Sequence, residues 1–133
     1  MKHLEGASVM CSGRSVNSIP RDELLKLDSI GLNEAQIFVF TQALTNKLKV
    51  EPISVEVSKR KTKNRRGTAW NKSRRIVLYR HSAETLIHEL AHIVAPPREH
   101  HSHLWEAVME AIWMYWKTNE VQDMMKVLGN MEG

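Results

Sequence analysis

With 133 residues, 42% of them apolar, and four tryptophans, the chain suits one folded domain and excludes a disordered polymer. Its single cysteine, Cys11, rules out an internal disulfide and any Cys-x-x-Cys zinc ribbon, and points to a reducing compartment. The net charge of +4 is uneven: residues 59–80 hold ten cations and no acid, while the remainder holds nine cations and fifteen acids, a net of −6.

Residues 1–20 mix Gly, Ser and Asn without periodicity and read as a flexible N-terminal arm, tied down in part by Val9 and Met10, ahead of a single domain over 21–133. The arm carries Lys2, Glu5 and Arg14 and no sustained apolar run, so it does not read as a signal peptide. Pro20 suits the start of a short helix over Arg21 to Leu27, which Gly31 ends. Asn33 can cap a helix from Glu34 to Lys49, where Ile37, Phe40, Leu44 and Leu48 recur at helical spacing as a core stripe.

After Pro52, Ile53, Val55 and Val57 alternate with polar residues, as in a strand. The basic stretch 59–80 reads as a hairpin, with Gly67 to Trp70 at its middle and an apolar strand from Arg75 to Tyr79. Such a stripe suits a polyanion such as nucleic acid, through Lys59, Arg60, Lys61, Lys63, Arg65 and Arg66. It equally suits a solvated hairpin whose charges protect a sheet edge. Ser82 can cap a helix over 83–94. Pro96-Pro97 turns the chain, and C-terminal helices fill 103–128. In the first of these, Leu104, Trp105, Val108, Met109, Ile112 and Trp116 share a broad face. Met124 and Met125 in the last suit terminal packing. No run reaches the ~18 apolar residues of a membrane span, so a cytoplasmic protein without a membrane partner is expected, in the host cytoplasm if the chain is viral.

The 83–94 helix contains His88-Glu89-Leu90-Ala91-His92. Imidazoles at i and i+4 lie on one helical face, one turn apart, and can share one zinc. Glu89 between them can act as general base toward a water on that ion. A catalytic zinc takes a third protein ligand, and five of the seven histidines fall between 88 and 103. His100, His101 and His103 are candidates, with Glu106 and Glu110 as the alternative from a later helix. Glu84, Glu99 and Glu106 are candidate acceptors for the ligand imidazoles. Tyr79, Tyr115, His100 and His103 are candidate oxyanion donors.

From Gly67 to Trp105 the chain resembles the core domain of the SprT-like (Spartan-like) zinc metallopeptidases, a minimal zincin of the HExxH...H type. The residues that carry this are Gly67-Thr68-Ala69-Trp70, the strand Arg75-Ile76-Val77-Leu78, the HExxH motif itself, and His101-Ser102-His103-Leu104-Trp105. In the last segment Ser102 stands where the family has glycine. The C-terminal zinc ribbon of longer family members has no counterpart in these residues, so the resemblance does not carry over their DNA attachment. The resemblance selects His101 as third ligand, with His103 or His100 as alternatives.

It implies an α+β fold: a compact zincin-like core whose small, mostly antiparallel sheet packs against the HExxH helix, with further helices on both sides. The last strand would wall the cleft and take a peptide as an added strand. The implied activity is that of a zinc-dependent endopeptidase with one Zn2+ per chain, a His3-coordinated site, Glu89 as base and a protein or peptide substrate. Two other readings stand beside it. One is a nucleic-acid-associated protein acting on or at DNA-bound proteins through the basic segment. The other is a non-catalytic structural or viral component that keeps the zincin fold.

Overall fold

The computed structural model describes residues 8–11, 19–96 and 102–130. Helix α1 (Arg21–Asp28) starts directly after Pro20, whose carbonyl accepts from the Glu23 and Leu24 N–H groups. Helix α2 (Glu34–Leu48) opens on a reciprocal cap: Gln36 N donates to the Asn33 side chain, and Asn33 N donates to the Gln36 side chain, both at 2.8 Å. Ser82 caps α3 (Ala83–Val94) by accepting from Thr85 N, and Ser102 caps α4 (His103–Trp116) by accepting from Trp105 N. The serine that departs from the resembled motif is thus the start signal of α4. Helix α5 (Asn119–Asn130) follows, and the side chains of Asn33 and Gln36 donate to the Leu128 and Met125 carbonyls, tying the beginning of α2 to the end of the chain's last helix.

Strands β1 (Ser8–Cys11), β2 (Ser54–Val57), β3 (Gly67–Trp70) and β4 (Arg75–Leu78) form one sheet in the order β1-β3-β4-β2. β3 is antiparallel to both β1 and β4, while β2 and β4 are parallel. The class is therefore α+β with a mixed sheet. The arm is tied to the sheet at Val9 and Met10, both in β1, and one expectation changes: the basic 59–80 stretch is not one hairpin. The hairpin is β3–β4 alone, closed by a turn over Asn71 to Arg74, with Arg74 left-handed at φ 52°. Because β4 lies between β2 and β3, residues 58–66 cross past the end of β4 to reach β3, with Val57 and Gly67 both opposite Leu78. The crossover is fastened at the far end of β4, where Tyr79 and Arg80 donate to the Arg66 carbonyl.

α3 packs against β3, β4, α1 and α4, and its residues from Ala83 to Ile93 are all buried. Ile76, Val77 and Leu78 of β4 are buried in turn, so that strand is covered on both faces, as its unbroken apolar run requires. Phe40 of α2 meets Trp116 edge-on at 5.3 Å and stacks on Tyr115 at 5.8 Å. The edges of the expected stripes do not all go inside: Phe38, Leu48 and Leu104 are exposed, each lying off the packed side of its helix. Among the described residues no helix is long and apolar enough to cross a membrane.

Candidate metal and hydrolytic site

The site begins with α3 itself. Burial on all sides leaves its polar residues facing protein rather than bulk water: Glu89 is 0% exposed, Glu84 2%, His88 3% and His92 6%. The rings of His88 and His92 lie 5.0 Å apart, centre to centre, inclined at 65°. Trp105 of α4 closes the triangle, edge-on to His88 at 4.9 Å and stacked on His92 at 5.1 Å. The indole thereby fixes the tilt of both imidazoles. Sequence periodicity assigned Trp105 to the core, which is true of its burial but misses this contact.

Ring centres 5.0 Å apart put the two imidazoles side by side on one face of α3, as their i,i+4 spacing requires. The Nδ1 atom of His88 faces Glu84 Oε2 at 3.9 Å, beyond hydrogen-bond length but within electrostatic contact. Of the acceptor candidates, Glu84 lies beside a histidine, and its i,i+4 spacing from His88 is the legible signal. Among the described residues no group of three or more His, Cys, Asp or Glu is placed to hold a metal. His103, at the exposed start of α4, and Glu106 and Glu110 do not join the histidine pair in such a group. His100, His101 and Glu99 lie outside the described residues.

Glu89 meets the sheet at Gly67. A Cβ placed on that glycine would lie 2.9 Å from Glu89 Cγ and 3.0 Å from Oε2, so only glycine lets β3 approach this carboxylate. The strand next to Glu89 is therefore β3. This corrects the expectation that the last strand walls the cleft and takes a peptide: β4 is interior, with β3 on one side and β2 on the other. The end of α3 is held from the β3–β4 turn, where the Asn71 amide donates to His92 O at 2.7 Å and to Ile93 O and Ala95 O at 3.3 Å. Orphan carbonyls at the C-terminus of the histidine helix are satisfied by a side chain that sequence reading passed over.

Behind Glu84 stands a set of ion pairs. Arg66 Nη1 lies 3.5 Å from Glu84 Oε1 and 3.2 Å from Asp28 Oδ1, and Arg80 Nε lies 2.7 Å from the same Asp28 oxygen. Ser82 Oγ, the α3 cap, donates to Asp28 as well. Burial pushes the Asp28 carboxyl up and is the largest single influence. The hydrogen bonds from Arg80 and Ser82 and the charges of Arg66 and Arg80 together outweigh it, leaving the group below its ordinary 3.8. A carboxylate depressed by folding stabilises the protein fully above its unfolded pKa and loses that contribution as pH falls through the lower folded value. Thermal melts from about pH 7 down to about pH 3 should therefore show a steep loss of stability below the ordinary aspartate range. Asp28→Asn should lower the neutral-pH melting temperature and flatten that acid slope. An unaltered slope would remove Asp28 from the account.

Arg66 and Arg80 also belong to a second feature. The crossover and the end of β4 enclose a cavity of about 430 Å³, open on one side. Lys59, Arg60, Lys61, Lys63, Arg65 and Arg66, the six residues read as a polyanion contact, all line it, joined by Arg80 and His81. Arg65 lies 5.7 Å over the ring of Tyr79, which places that tyrosine in the basic cavity, while Tyr115 packs on Phe40. Among the described residues no acidic side chain lines the cavity. No family model, curated protein or solved structure matches the chain.

Proposed function

We propose that this chain is a zinc-dependent endopeptidase of the minimal zincin type. The observation that supports it most is the buried His88–His92 pair held by Trp105, on the same helix as a fully buried Glu89 aligned against β3. A helix with no catalytic task would hardly keep two imidazoles and two carboxylates away from water at the cost of desolvating them.

His88 and His92 would hold the ion, with His101 as the third ligand that the sequence resemblance names. Bound there, zinc would polarise the scissile carbonyl and acidify a water molecule. Glu84 would hold the His88 ring through its Nδ1 side, and Arg66 would orient Glu84. Glu89 would take the proton from the attacking water and deliver it to the departing amine.

Metal analysis tests this directly. Purified protein should carry about one equivalent of zinc, lost in His101→Ala and kept in His103→Ala. Equal retention in both variants would remove His101. Absence of zinc from the wild-type chain after loading would remove the metallopeptidase reading.

A second reading is favoured by the basic cavity: nucleic acid bound by the crossover, with the peptidase acting on proteins at that nucleic acid. DNA binding that falls steeply with salt and weakens in a Lys59→Ala/Arg60→Ala/Lys61→Ala variant is the expected result. Lack of binding at low salt would exclude it.

A further inference from the structure

We propose that β1 is a tethered occupant of the edge of β3 on which a substrate peptide would lie, so that the chain as it stands is self-restrained. The inference rests on the peptidase reading for what the edge is for, but its structural premise is independent of it. Three placements carry it. The sheet meets Glu89 at Gly67 of β3. One side of β3 is taken by β4, so a peptide joining the sheet beside Glu89 can only use the other side. That other side holds β1, antiparallel, with Cys11 opposite Gly67 and Ser8 opposite Trp70. The backbone of this chain's own Ser8–Cys11 thus runs to the residue that touches the presumptive base.

A four-residue strand with one neighbour makes few ladder bonds, and a short two-strand pairing is marginal by itself. What holds it is tethering: residues 12–20 link β1 to α1, which keeps the strand at an effective concentration on the order of millimolar. An external peptide bound through main-chain hydrogen bonds at the same edge has to displace it. The tether acts as a competitive inhibitor in cis, raising KM and leaving the chemical step alone.

The test keeps the full chain. Adjacent N–H groups in a strand point to opposite sides, so one of Val9 and Met10 must present its N–H toward β3, and proline at both removes it. For the double variant Val9→Pro/Met10→Pro, KM for an unstructured peptide substrate should fall about tenfold with kcat little changed. A labelled synthetic peptide of residues 6–13 should bind the double variant and compete with substrate there, while binding the wild-type chain at least about tenfold more weakly. An unchanged KM, or equal peptide affinity for both proteins, would overturn the proposal. So would a double variant that loses activity and melting temperature together, since β1 would then be a structural strand. The binding arm is read without catalysis. Peptide captured only by the double variant, with no cleavage by either protein, would uphold an exchangeable edge and discard the peptidase.

Discussion

Glu89→Gln is expected to leave zinc in place and reduce peptide hydrolysis by about 10²- to 10⁴-fold. Glutamine keeps the length and shape of the side chain, so the close approach of Gly67 is preserved and the helix is not asked to repack. What disappears is the capacity to accept a proton. The histidine rings, 5.0 Å apart and clasped by Trp105, do not depend on that capacity. Full zinc occupancy together with loss of turnover is therefore the diagnostic combination. Normal turnover by the variant would show that another group carries the proton, and the assignment of Glu89 would fall. Loss of both zinc and activity would instead make Glu89 part of the metal's own holding set.

Gly67→Ala is expected to have the second largest effect, and it acts through the same carboxylate from the opposite side. The added methyl carbon would sit 2.9 Å from Glu89 Cγ, 3.0 Å from Oε2 and 3.2 Å from Cδ. Contacts that short must relax, and with Glu89 fully buried it has no solvent to move into. Overpacking of this kind costs about 1–3 kcal/mol of stability. The catalytic loss should be larger, about 10²-fold in kcat, because a displacement of roughly 1 Å in a catalytic group has that effect. Chemical denaturation and steady-state kinetics on the same preparation separate the two. A variant that is destabilised yet turns over normally would mean that the position of Glu89 against β3 has no bearing on the reaction.

Much of this site could be read from residues in order. The α3 helix was legible because Ser82 caps it and because Leu86, Ile87, Leu90 and Ile93 repeat at the helical period. The i,i+4 spacing of His88 and His92 put them on one face without further information. The Asn33 cap of α2 followed from the same rules. Strand partners did not. Alternation of apolar residues tells which face of β2 is inward but not whether its neighbour is parallel, so the 59–80 stretch looked like one hairpin when it is a crossover followed by a shorter one. Contacts between residues far apart in sequence were equally invisible. Asp28 gives no hint that Arg66, Arg80 and Ser82 converge on it, and Asn71 gives none that it closes the end of α3. The strand at Ser8–Cys11 lacks any strong local signal and is defined by its pairing with β3.

Arg66 touches two places at once: it lines the basic cavity and it neutralises Glu84, the carboxylate beside His88. If both proposed ligands bind, occupancy of one place and of the other would not be independent variables. A polyanion that recruited this guanidinium would alter the field felt by the histidine, and metal at the histidine would alter the affinity for the polyanion by the same factor, since linkage is symmetric. Titrations of either ligand would then be interpretable only at a fixed level of the other.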